Sequence, residues 1–132
     1  MPTVYTEAQP GSYLFMDAAY SALSDLPFQN SLFILGTVIS VRGENIHTDV
    51  GTKSCGMDQG PPVLADRPEI SSVMSEEHVS HRIPGHSYRR NDLVRYIPGH
   101  CCTTLNSYDR LWLVRGGQVT GSLPIESRGK SQ

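Results

Sequence analysis

Short β-rich segments, each followed by turn residues, are the feature that most constrains the fold of this sequence. Leu32 to Val41, Leu93 to Ile97 and Tyr108 to Val114 are rich in β-branched, aromatic and other apolar residues. Weaker strand signals lie at 13–16, 46–50, 69–74 and 118–125. About six or seven short strands separated by turns predict a mainly β fold, either a β-sandwich or a small barrel-like domain.

Glycine pairs and polar turns predict how neighbouring strands connect. Arg42-Gly43-Glu44-Asn45 predicts one hairpin, and Gly116-Gly117 predicts a second. Gly36 is a candidate β-bulge inside the first long strand. Only Asp17 to Leu26 has apolar residues at helical spacing, with Asp17 as the candidate N-cap. The sequence therefore predicts one short helix.

Length and charge narrow the class of protein. The 132 residues are expected to form one domain, residues 1–132. The net charge is −2 and the basic residues are scattered, which argues against nucleic acid or an anionic membrane as partner. There is no apolar run long enough to span a bilayer and no secretory-signal pattern near the start. Because the three cysteines are an odd number, a reducing, cytoplasmic location is expected.

The stretch from Gly51 to Asp66 is too rich in Gly, Pro and polar residues for regular structure. One interpretation is a plain surface loop, and the other is a site loop carried on a rigid sheet. The sequence by itself favours the surface loop.

His100, Cys101 and Cys102 form the most informative motif. In an extended chain, His100 and Cys102 would lie on one face and Cys101 on the other. An imidazole nitrogen and a thiolate are good ligands for a borderline ion such as Zn²⁺. The alternative is a buried core cysteine beside a partly exposed histidine, and the spacing alone favours that alternative.

A family resemblance favours the metal-ligand interpretation of this motif. Residues 97–106, IPGHCCTTLN, are similar to the Pro-Asn-His-x-Cys-Pro-Thr-x-Asn pattern of the D-threonine aldolase / D-serine dehydratase family. Four further blocks match that family in order, at 10–17, 49–53 with 58–62, 75–78, and 108–117 with 124–130. The sequence departs from the pattern at Gly99, where the family has Asn, and at Thr103, where it has Pro. Gly99 is expected to loosen the turn that orients His100.

The resemblance implies a C-terminal β domain of a pyridoxal-phosphate enzyme. In that family an N-terminal barrel carries the Schiff-base lysine, and a metal on the β domain activates the β-hydroxyl of a D-β-hydroxy amino acid. The implied metal ligands are His100 and Cys102, with Zn²⁺ preferred over Mn²⁺ or Mg²⁺. No barrel-length segment is present, so no lyase activity and no catalytic residue are expected in this chain alone. The full enzyme is expected to be a homodimer.

The alternative function is a free-standing, non-catalytic β module that binds metal or a partner, or a gene fragment. A neighbouring reading frame that encodes the barrel would favour the first function.

The resemblance also suggests roles for other polar residues. Four are expected near the metal's outer shell or the substrate edge: Lys53, Asp58, Glu76 and His78. Lys53 is expected to form salt bridges rather than a Schiff base, and Tyr13 is a candidate to approach the cofactor. Trp112 is expected to pack in the core or an interface. Three histidines are expected to face solvent: His47, His81 and His86.

Overall fold

Six antiparallel strands form the main sheet of the computed structural model, which describes residues 6–130. The sheet is curled into a half-barrel with strand order β3-β6-β1-β2-β5-β4. Its strands are β1 (Ile34–Arg42), β2 (Asn45–Thr48), β3 (Val63–Leu64), β4 (Val73–Met74), β5 (Val79–Arg82) and β6 (Leu93–Ile97). The mainly β, barrel-like fold that the sequence predicts is therefore confirmed.

A second, two-stranded sheet and two short helices complete the described chain. The hairpin is β7 (Arg110–Arg115) and β8 (Gln118–Pro124), and the helices are α1 (Ala18–Ser21) and α2 (Cys101–Leu105). Within residues 6–130, no helix is both long and apolar enough to cross a bilayer. The sequence indicates the first of these helices, α1, and α2 is a second short one in a fold that is mainly β.

The β1–β2 hairpin forms where the polar turn predicts it. Gly43 has φ of +58°, a conformation that favours glycine, and Arg42 pairs with Asn45 across the turn. The register shifts between Val38 and Ser40, so the bulge is not at Gly36. A Cβ on Gly36 would lie 2.7 Å from the Val50 side chain, so this glycine serves close packing instead.

The core lies on the inner face of the curled sheet. Alternate residues are buried along the first half of β1 and along β6, as a half-buried strand requires. The core consists of Ile34, Val38, Ile46, Val50, Cys55, Leu64, Val79, Ile83, Val94 and Tyr96.

A buried polar network runs through this core. The Tyr96 hydroxyl lies 2.9 Å from Nε2 of His81 and 2.9 Å from Oγ1 of Thr48, and His81 Nδ1 lies 3.1 Å from the Ser71 carbonyl oxygen. His81 is only 2% exposed, so the expectation that it faces solvent is wrong. Burial lowers the pKa of His81 and raises the pKa of Tyr96 to about 12, so both are neutral near pH 7.

The β7–β8 hairpin stands apart from the core. Gly116 and Gly117 have φ of +57° and +76°, which confirms the predicted turn. Trp112 is 64% exposed, so of its two predicted surroundings the core is wrong, and packing in an interface stays a prediction. Four more large apolar side chains on the hairpin are exposed: Leu113, Val114, Val119 and Leu123.

The segment before the sheet differs from its predicted structure. Residues 13–16 do not form a strand, because Ser12–Leu14 adopt a 3₁₀ turn in which Phe15 N–H donates to the Ser12 carbonyl. The helix begins where expected, with Asp17 accepting a hydrogen bond from the Tyr20 N–H. It ends at Ser21, short of the predicted Leu26, and the chain then turns at Asp25, where φ is +67°.

Candidate metal site at the start of helix α2

Asp17 fixes the position of helix α2. One carboxylate oxygen accepts from the Tyr20 N–H and the other accepts from the Cys101 N–H, each at 3.0 Å. The Ala18 N–H donates to the Pro98 carbonyl at 2.9 Å. Because Asp17 is fully buried, these bonds join the first turns of α1 and α2 rigidly. The predicted extended conformation of residues 101–102 is therefore wrong, and extended backbone stops at His100.

The loop from Gly51 to Gly60 lies against α2. Thr104 Oγ1 accepts from the Gly56 N–H at 3.1 Å and donates to the His100 carbonyl at 2.7 Å. A Cβ on Gly99 would overlap the Gly60 carbonyl oxygen. Gly99 thus permits a close backbone approach, and the expectation that it loosens the turn stays a prediction.

This approach brings Asp58 to His100. His100 Nδ1 lies 2.5 Å from Asp58 Oδ2, and the Thr103 hydroxyl donates to Asp58 Oδ1 at 2.6 Å. The hydrogen bonds from Thr103 and then His100 lower the pKa of Asp58, so its carboxylate is ionised near neutral pH. A carboxylate accepts the Nδ1 proton, which leaves the other ring nitrogen, Nε2, free to bind an ion.

The two adjacent cysteines have different environments. Cys102 is exposed and Cys101 is buried, with their sulfur atoms 3.9 Å apart. Burial raises the pKa of Cys101 to about 11. Because the segment is helical, the shared face that an extended chain would give His100 and Cys102 is absent. Within residues 6–130, no three His, Cys, Asp or Glu side chains cluster closely enough to hold an ion.

An open groove borders His100. Gln59 and Asp17 line it together with the apolar part of α1 and the residues after it: Ala19, Tyr20 and Leu23. Polar groups on one side and apolar groups on the other suit a small amphipathic ligand.

Other predicted site residues lie elsewhere. Lys53 Nζ is 2.8 Å from Glu77 and 3.4 Å from Glu76, so its predicted salt bridges are present. His78 lines a different groove, which it shares with Arg42 and His47. The Tyr13 ring packs against Phe28, with ring centroids 5.4 Å apart. Of the four predicted outer-shell residues, the structure places only Asp58 in contact with His100.

Sequence reasoning misses three contributions to the site. The pattern around Asp17 predicts a cap for α1 but not for α2, because the second contact is 84 residues away in sequence. Thr103 and Thr104 are not among the predicted site residues. They directly follow Cys102, and threonine hydroxyls often form local hydrogen bonds with the backbone. Their presence in the sequence is the signal that could have indicated hydrogen bonds at this position.

The fold and site define a β domain in which the His100 imidazole, paired with the Asp58 carboxylate, borders an open groove. The family model described as "Putative serine dehydratase domain" matches residues 31–114, more than half of the chain. The chain belongs to this family.

Its relatives include named aldolases. The chain is 38% identical to a D-threonine aldolase from Arthrobacter sp. over 136 residues, covering 98% of this chain and 36% of the relative. It is 34% identical to a 3-hydroxy-D-aspartate aldolase from Paracoccus denitrificans, covering 96% of this chain and 35% of the relative.

A solved structure is similar as well. The crystal structure of D-threonine aldolase from Filomicrobium marinum superposes with a TM-score of 0.85 at 32% identity, covering 94% of this chain and 36% of that one. The chain thus spans about a third of the length of the relatives it matches.

Proposed function

We propose that this chain is the metal-binding part of a pyridoxal-phosphate-dependent lyase that acts on D-β-hydroxy amino acids. Membership of the family supports the class of enzyme. The names of the relatives support the substrate class, because D-threonine and 3-hydroxy-D-aspartate both carry a β-hydroxyl. Their greater length supports a separate cofactor-binding domain in the complete enzyme.

The observation that carries the proposal is the hydrogen bond between Asp58 and His100 Nδ1. Ligand histidines usually donate their second ring N–H to a carboxylate or carbonyl, which fixes the ring and strengthens the ligand nitrogen. Here that arrangement leaves Nε2 of His100 for a divalent ion. Cys102 is exposed two residues further along the chain and is the proposed second ligand, as a thiolate. Because α2 removes the face that an extended chain would give both residues, the Cys102 side chain would have to turn toward the imidazole to share the ion. Nitrogen and sulfur donors suit Zn²⁺ better than Mn²⁺ or Mg²⁺.

Two protein ligands would leave positions on the ion open, as in catalytic rather than structural sites. When bound, the ion would lower the pKa of the substrate β-hydroxyl, and pyridoxal phosphate would serve as the electron acceptor. Asp58 holds the ring orientation, and Thr103 holds Asp58 in turn. The groove beside His100 would receive the substrate's polar end at Gln59 and its apolar part at Leu23.

Lys53 is unsuited to cofactor attachment in this arrangement. Hydrogen bonds from its ammonium to Glu77 and then Glu76 raise its pKa, so it stays protonated. The Schiff-base lysine would therefore come from the part of the enzyme that this chain does not span.

Metal titration of the chain tests the ligand assignment. Zn²⁺ and Mn²⁺ binding is measured by calorimetry for the wild type, His100→Ala, Cys102→Ser and Cys101→Ser. The first two substitutions are expected to abolish binding, and Cys101→Ser should leave it nearly intact. Binding should also weaken as pH falls, because both ligands must lose a proton. Unchanged binding in His100→Ala or Cys102→Ser would refute the site.

Asp58→Ala tests the supporting role of the carboxylate in the same assay. Metal affinity is expected to fall about 10- to 100-fold, since the imidazole loses its orienting partner. Asp66→Ala is the matched control, because Asp66 pairs with Arg95 rather than with His100. An equal loss in both variants would show a general charge effect instead.

A further inference from the structure

A second groove lies on the outer face of the main sheet, away from the core. It crosses β1, β2 and β5, where Ser40 pairs with His47 and His47 pairs with Ser80. Arg42 and His78 also line it. Among the described residues that line this groove, nearly all carry N–H or O–H groups and none carries a carboxylate. The groove is therefore rich in hydrogen-bond donors.

A β-bulge turns two of these side chains outward. The register of β1 shifts between Val38 and Ser40, so Ile39 is the additional residue. Val38 faces the core, and without the bulge Ser40 and Arg42 would follow it there, because side chains alternate at period two. Instead, Ser40 pairs with His47 and shares its face of the sheet. Bulges often redirect side chains in this way beside functional sites.

Arg42 brings a positive charge to the groove. Within residues 6–130, no carboxylate lies at ion-pair distance from its guanidinium. The acidic side chains of the neighbouring segments have other partners: Glu44 bonds Arg82, Glu76 and Glu77 bond Lys53, and Asp49 bonds the Thr37 N–H. A guanidinium beside hydroxyls and imidazoles, with no acidic neighbour in the groove, favours an anion over a cation as ligand.

His47 and Ser80 together supply one donor in either arrangement of their protons. His47 Nδ1 lies 2.7 Å from Ser80 Oγ. If the hydroxyl donates to Nδ1, the ring proton is on Nε2; if Nδ1–H donates instead, the hydroxyl proton is left over. In both cases one N–H or O–H remains for a ligand. The pair can therefore bind an anion even when the imidazole is uncharged.

We propose that this outer groove binds a phosphate group, with Arg42 supplying the charge and Ser40, His47 and Ser80 supplying hydrogen bonds. A guanidinium can engage both oxygens of a carboxylate, which would leave the other donors without an acceptor. A phosphate has further oxygens for them. The proposal is independent of the proposed function, because the outer groove shares no residue with the groove beside His100.

Two sources of the phosphate group fit the groove. Its volume of about 400 Å³ has room for an organic group besides the phosphate, and Ile39 gives it one apolar wall. Free inorganic phosphate and a phosphate monoester are therefore both candidates, and they differ in whether Ile39 is contacted.

An NMR titration of the ¹⁵N-labelled 132-residue chain tests the proposal. Sodium phosphate, added at constant pH and ionic strength, is expected to cause saturable shifts in the backbone amides of Ser40, His47 and Ser80. Sodium chloride should cause none. Phenyl phosphate is the second probe: tighter binding with a shift at Ile39 identifies a monoester, and equal or weaker binding identifies the free ion. No saturable shift, shifts confined to residues outside the groove, or equal affinity for acetate would overturn the proposal.

Two variants and a matched control test the assigned residues. Arg42→Gln should weaken phosphate binding about 10-fold or more, and Ser80→Ala about 5-fold, because a charged donor contributes more than a neutral one. Arg95→Gln removes the same charge from β6, where Arg95 pairs with Asp66, and should bind as the wild type does. Wild-type affinity in a folded Arg42→Gln chain, or an equal loss in Arg95→Gln, would contradict the site. The wild-type titration decides the matter if a variant does not fold.

Discussion

At the scale of single residues, His81 shows how burial can reverse the ordinary placement of a side chain. Its neighbours Val79 and Ile83 are core residues at period two, so the β5 register turns His81 inward as well. Both ring nitrogens form hydrogen bonds, one with Tyr96 and one with Ser71. These bonds offset the cost of burying the imidazole. The sequence of β5 does alternate between core and other positions, but four residues are too few to predict which side chains face the core.

His81 should make stability depend on pH. Its pKa is lowered in the folded chain by burial, whereas in the unfolded chain it is near the ordinary 6.5. Below that pH the unfolded state takes up the proton more readily, so the free energy of unfolding falls as pH falls. The loss is expected to be about 1 kcal/mol at pH 5.5 relative to pH 7.

Urea denaturation at the two pH values measures this effect. His81→Gln keeps hydrogen-bonding groups but cannot titrate. The difference in free energy of unfolding between the two pH values should therefore shrink, although the variant is less stable at pH 7. His47→Gln is the control, because His47 is only partly buried on the outer face of β2. A full pH effect in His81→Gln would contradict this origin.

The proposed site residues stand out in the sequence by their side-chain type, whereas the contacts between them do not. His100, Cys102 and Asp58 all stand out in the sequence, since metals favour these side chains. The His100–Asp58 contact spans 42 residues and depends on the Gly99–Gly60 approach, which no local pattern encodes.

At the scale of elements, local signals are reliable where a strand is long or its turn is specific. β6 has the predicted bounds, and the Gly43 and Gly116-Gly117 turns join the predicted strands. The two-residue strands β3 and β4 depend on pairing with β6 and β5 rather than on their own composition. Helix α2 has five residues and depends on Asp17 from a distant part of the chain, so periodicity could not predict it.

Gly99→Ala tests the approach of the loop to α2. The added methyl group would overlap the Gly60 carbonyl, and the backbone must shift to make room. We expect a loss of about 1–3 kcal/mol in the free energy of unfolding. Metal affinity should also fall, because Asp58 moves with the loop. Gly11→Ala is the control, since an added methyl group there would have nothing within 4 Å and the φ of Gly11 is negative; an equal loss in that variant would refute the contact.

At the scale of the whole molecule, the half-barrel and the β7–β8 hairpin should respond differently to substitution. Ile46 is fully buried, and Ile46→Ala is expected to cost about 2–5 kcal/mol in denaturation experiments. Trp112→Ser should cost about 0.5 kcal/mol or less, because Trp112 is 64% exposed. A Trp112→Ser cost equal to that of Ile46→Ala would show that the hairpin is covered in solution, and sedimentation would then reveal the association.

The lengths of the outermost strands also determine how copies of the chain could join. The main sheet ends on both sides in strands of two residues, β3 and β4, which offer few backbone groups for a further strand. The hairpin has two longer edge strands, of six and seven residues. Its apolar side chains face outward. Fibril-like or domain-swapped assemblies would therefore form through the hairpin. Charged substitutions there would reduce aggregation at high protein concentration.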